Sequence, residues 1–84
     1  MKSYYITFRS VTLAQRGERV LRHGGMDCVL QRTPRWMEER GCGYCLRVRP
    51  KDALMCVELL NQNSVPYSKV YARQENGTVE ELTL

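Results

Sequence analysis

Residues 40 to 47, Arg-Gly-Cys-Gly-Tyr-Cys-Leu-Arg, set two thiols three positions apart among glycines and arginines. In cysteine chemistry the nucleophile is the thiolate, and nearby guanidinium charge lowers the thiol pKa. Cys42 is the stronger candidate. It precedes Gly43, whose lack of a side chain lets backbone N–H groups approach a thiolate, and Gly41 gives the same freedom on the other side. Arg35, Arg40 and Arg47 can supply positive charge, and Cys45 is a candidate second thiol that could resolve an adduct on Cys42.

Cys-Gly-Tyr-Cys looks like a thiol oxidoreductase motif, but its context differs. Redox pairs of that kind sit at a helix N-terminus, where the dipole and free N–H groups hold a thiolate, whereas here the pair runs into a strand pattern. Extended residues three apart lie roughly 10 Å from Cα to Cα, beyond the roughly 7 Å that a disulfide spans, so only a turn at Gly43 would close the pair. A zinc site would need a second pair of ligands, and the chain has four cysteines and one histidine. The residues predict neither metal nor cofactor. Cys28 alternates with Met26 and Leu30, and Cys56 falls on an apolar helical stripe, so both read as small buried hydrophobes. His23, beside Gly24-Gly25, reads as a cation at a helix C-terminus. Trp36 lies in a polar stretch and could cover the cysteines or cap the core. With no phosphate-cradling glycine loop, Ser/His/Asp set or carboxylate pair, the sequence points to a carrier or binding protein rather than an independent catalyst.

Eighty-four residues allow one domain with a modest core. Without a run of about 18 apolar residues or a signal-peptide pattern, the sequence predicts a soluble, cytoplasmic protein with no membrane partner. In a reducing compartment its cysteines are expected to be free, catalytic or metal-bound rather than structural disulfides. Residues 1 to 50 carry ten Lys/Arg against four Asp/Glu, while residues 51 to 84 carry three against five. Ten of the thirteen cations are arginine, the residue suited to forked contacts with anions, so an anionic ligand or partner fits the basic half that holds the cysteine pair.

These groups must be positioned by a small set of elements. Residues 4 to 9 read as a strand with Tyr4, Ile6 and Phe8 on one face. Ser10 caps a helix in which Leu13, Ala14, Gly17, Val20 and Leu21 recur at helical spacing, and Gly24-Gly25 ends it. A second strand runs from Met26 to Arg32 and stops at Thr33-Pro34. Gly43 to Arg49 alternates as a third strand, Pro50 opens a second helix with Ala53, Cys56, Val57 and Leu60 inward, and Tyr67 to Arg73 form a fourth strand. The order βαββαβ predicts an α+β, ferredoxin-like two-layer sandwich, an antiparallel sheet in the order 4-1-3-2 with two helices on one face. One domain covers residues 1–74. Residues 75–84 form either an acidic C-terminal hairpin strand, with Asn76-Gly77 as a type I′ turn, or a tail.

Strand parity then sends Tyr44, Leu46 and Val48 to the helices and gathers Tyr5, Arg9, Cys45, Arg47, Lys69, Tyr71 and Arg73 on the open sheet face. Such a face suits a homodimer or nucleic acid, or stays solvated. Arg40-Gly41-Cys42-Gly43-Tyr44 echoes the RNA-recognition-motif signature of the same topology. The echo fails where Cys42 and Arg47 stand at stacking positions, and it needs Tyr44 to face outward. RNA binding is therefore the weaker reading.

Over residues 3 to 73 the chain resembles the bacterial selenium/sulfur carrier protein-like family. The resemblance is carried by Tyr4-Tyr5-Ile6-Thr7-Phe8 with Ser10, the Gly24-Gly25 helix end, Thr33-Pro34-Arg35, Cys42-Gly43-Tyr44-Cys45-Leu46-Arg47, and the closing helix with Val70-Tyr71. It implies that Cys42 holds sulfur or selenium as a persulfide or selenopersulfide, and that the partners are donor and acceptor proteins. Two departures stand out: Glu38-Glu39-Arg40-Gly41 replaces small hydroxyl residues before the cysteine, in a slightly longer segment, and Cys45 replaces a small apolar residue.

Overall fold

The computed structural model describes residues 3–33 and 43–82. Along the chain run β1 (Ser3–Thr7), α1 (Val11–His23), β2 (Cys28–Arg32), β3 (Tyr44–Val48), a 3-10 turn (Pro50–Asp52), α2 (Ala53–Gln62), β4 (Val70–Arg73) and β5 (Val79–Leu82). All strand pairings are antiparallel. The sheet order is β2-β3-β1-β4-β5, which is the expected 4-1-3-2 arrangement with a fifth strand added beyond β4. The fold is thus α+β and compatible with a ferredoxin-like two-layer sandwich.

Local chemistry explains the boundaries. Ser10 is extended, at φ −142° and ψ 156°, and its Oγ accepts a hydrogen bond from Leu13 N–H, satisfying one donor that a helix start leaves orphaned. At the far end Gly25 has φ +81°, and Met26 N–H donates to Leu21 O at 2.9 Å while Gly25 N–H donates to Arg22 O. This six-to-one, five-to-two closure is a Schellman motif. Helix α2 ends the same way with Ser64 in the left-handed region at φ 56°, where Val65 N–H reaches Leu60 O. Pro50 pre-sets the backbone of the 3-10 turn that leads into α2.

The main core lies between the helices and one sheet face, built from Ile6, Phe8, Leu21, Leu46, Val48, Cys56, Val57, Leu60 and Val70 among others. Gly17 is required there by closeness: a Cβ on it would stand 2.9 Å from Phe8 Cζ. The β4–β5 connection departs from the type I′ expectation, which needs positive φ at both central residues. Among the described residues only Ser64 and glycines have positive φ, so Asn76 does not. Gly77 N–H instead donates to Gln74 O and Gln74 N–H to Thr78 O. That is a three-residue turn closed by a left-handed Gly77 at φ +86°. No helix among the described residues is long and apolar enough to cross a membrane.

Candidate functional site

Cys42, Gly41, Arg40, Arg35 and Trp36 lie outside the described residues, but the frame that holds their segment is defined. Thr33 N–H donates to Gly43 O at 2.7 Å, so the end of β2 and the start of β3 are tied together. Gly43 takes φ +75°, a conformation that costs any other residue roughly 1–2 kcal/mol. Peptide geometry puts the Cα of Cys42 about 3.8 Å from that of Gly43, so the candidate nucleophile is bonded to a pinned glycine.

Among the described residues this end of the sheet carries exposed arginines. β1 runs antiparallel to β3 with Thr7 opposite Cys45, so the C-terminal end of β1, exposed Arg9 and the first turn of α1 share it. α1 has no acidic residue in its first turn, so the positive pole of its dipole lies at this end without a carboxylate of its own helix beside it. Arg32, the last residue of β2, is exposed and holds its guanidinium 5.6 Å from the centre of the Tyr44 ring. Sequence reasoning passed over Arg32 and Arg9 for this role, although their positions beside Thr33-Pro34 and Ser10 were the available signal. Behind them Thr7 locks β1 to β4, its Oγ accepting from Lys69 N–H at 3.1 Å while Thr7 N–H donates to Lys69 O at 2.9 Å.

A family profile described as "Putative Se/S carrier protein-like" matches residues 3–72. The chain belongs to this family. No curated protein and no solved structure matches it.

Within the Se/S carrier-like chain, the sheet face away from the helices is not uniformly open. Cys45 is fully enclosed and forms a small cluster with Tyr5 and Tyr71, at 0%, 6% and 7% exposure. The three residues expected to lead an aromatic, solvated surface form a second, minor core instead. Around them Arg47 and Arg73 are exposed, and Lys69 pairs with Glu81 at 3.4 Å. Tyr44 packs against the helix-side core, as parity requires and opposite to what the RNA reading needs. Arg47 is exposed and stands four residues beyond Gly43, about 13 Å along an extended strand.

Cys28 and Cys56 lie in the helix-side core at 4% and 0% exposure. Burial pushes the Cys28 thiol upward against the opposing pull of Arg22. Burial also pushes Cys56 up to about 12, helped by Asp52. Both are protonated at neutral pH. His23 sits in the last turn of α1 beside Arg22, where a cation complements the helix dipole.

Proposed function

We propose that this chain is a sulfur or selenium carrier that holds the chalcogen on Cys42 as a persulfide or selenopersulfide. The observation that carries the reading is the state of the other thiols. Cys28, Cys45 and Cys56 are all buried, which makes a cysteine inert toward exchange, and Cys42 is the remaining one in a chain belonging to a Se/S carrier-like family. Exposed Arg9 and Arg32 and the start of α1, at the same end of the sheet as Gly43, carry positive charge that favours a thiolate.

In loading, the Cys42 thiolate attacks the terminal sulfur of a donor persulfide. The new S–S bond forms as the donor's S–S bond breaks, and the donor departs as its thiolate. In unloading, an acceptor nucleophile takes that terminal sulfur and Cys42 leaves as thiolate, so no external oxidant or reductant is consumed. A selenopersulfide follows the same balance, with an S–Se bond broken and formed. The partners are accordingly a donor and an acceptor protein.

The test is intact-mass spectrometry after incubation with inorganic polysulfide. An adduct of one sulfur atom is expected on the wild-type chain and on Cys45→Ser, and none on Cys42→Ser. An adduct that survives Cys42→Ser would overturn the assignment.

A further inference from the structure

The sheet has two edges of opposite character. β5 is four residues long and carries exposed Glu80 and Glu81, the charge device that keeps edge strands from pairing. β2 at the other edge is Cys-Val-Leu-Gln-Arg, uncharged until its last residue, with Val29 44% exposed. The hydrogen bond from Thr33 N–H to Gly43 O fixes the phase of the β2–β3 ladder. In that phase Thr33, Gln31 and Val29 exchange with β3, while Cys28, Leu30 and Arg32 turn their N–H and C=O groups outward. Arg22 occupies one outward acceptor, its Nη2 donating to Cys28 O at 2.9 Å. The carbonyl keeps a second lone pair, and the N–H and C=O of Leu30 face the same way.

We infer that β2 is an interaction edge whose occupant is β2 of a second copy of this chain, paired antiparallel about a two-fold axis through Val29. That register is self-complementary at every position. Val29 meets its own copy on the face away from the helices, Cys28 meets Leu30 on the helix side, and Gln31 meets Asp27. Cys28 and Leu30 are then the mutually hydrogen-bonded pair, which matches their outward groups. Charge does not oppose it, because Asp27 is paired with Arg49 at 2.7 Å and Glu18 with Arg22 at 3.3 Å. The same operation at β5 would bring Glu80 and Glu81 of each copy together, and only Glu81 is paired, with Lys69 at 3.4 Å, among the ion pairs described. Because β2 leads into Thr33, the two copies carry their Thr33–Gly43 hydrogen bonds at opposite ends of a continuous sheet.

Sedimentation across a concentration series tests this, with the weight-average mass expected to rise from 9.8 kDa toward twice that value. Val29→Lys and Val29→Glu, at a half-exposed position, are each expected to remain monomeric with unchanged circular dichroism, and an equal mixture of the two to regain the dimer. Amide exchange at Leu30 is expected to slow only in the dimer. A chain that stays monomeric throughout the series, or a dimer indifferent to both Val29 variants but lost on Arg47→Glu, would overturn the proposal.

Discussion

Two buried cysteines, one on each side of the sheet, mark how differently its two faces are built. Cys56 sits in a core closed by two helices, with Phe8, Leu21, Leu46 and Leu60 packed at or near zero exposure. Cys45 is just as enclosed, yet its buried neighbours on the other face are two tyrosines. Depth of burial is therefore a poor measure of how much structure depends on a residue. On the helix side, removing a side chain leaves a hole that rigid elements on both sides hold open. On the other face the described cluster is only Tyr5, Cys45 and Tyr71, and fewer rigid elements border a hole there.

The largest expected effect follows from that difference. Phe8→Ala is expected to lower unfolding free energy by about 3–5 kcal/mol, whereas Tyr71→Ala is expected to lose roughly 1.5–3 kcal/mol, the transfer contribution with little added for a cavity. Urea unfolding of both variants checks the order. Equal losses would mean that the two faces are equally rigid.

Alkaline pH sharpens the comparison on the helix side. Cys56 is raised from 9.0 to about 12, so above its ordinary value the native state keeps a proton that the unfolded chain has released. Its contribution is fully present below 9.0 and is lost as pH climbs toward 12. Thermal midpoints are expected to fall through that window, and Cys56→Ala to flatten the decline.

Gly43→Ala is expected to cost roughly 1–2 kcal/mol through its positive φ and to reduce polysulfide loading as well. Gly25→Ala, also at positive φ, is expected to cost a similar amount of stability without touching loading. The pair separates a strained backbone from a perturbed site. The smallest effect belongs to Thr7→Val, where loss of the hydroxyl bond to Lys69 N–H is expected to cost about 1 kcal/mol, read from the same unfolding curves.

Much of the frame was legible in the sequence because its signals are local. Ser10, Gly24-Gly25 and Pro50 act through their own backbone neighbours, and alternation alone assigned Leu46 and Val48 to the helices. The enclosure of Tyr5, Cys45 and Tyr71 was not legible. Period-2 alternation says which way a residue points and nothing about what lies over it. The turn at Asn76-Gly77 was misread for a related reason, since the dipeptide fits two hairpin geometries and strand register chooses between them. For the site, Gly43 takes a positive φ and positions 40–42 lie outside the described residues, while Arg32 joins Arg9 at this end only when β1, β2 and β3 are laid side by side.

The bond between Thr33 and Gly43 also bears on how carriers of this kind can diverge. It fixes the separation of Thr33 and Gly43, so the sheet itself sets the distance that the nine residues between them must span. The entropy of closing a connection between fixed ends grows slowly with its length, by about 0.6 kcal/mol per doubling in the loop-closure law. A lineage, or an engineer, could therefore change how many residues join Thr33 to Gly43 while the sheet keeps the same two attachment points.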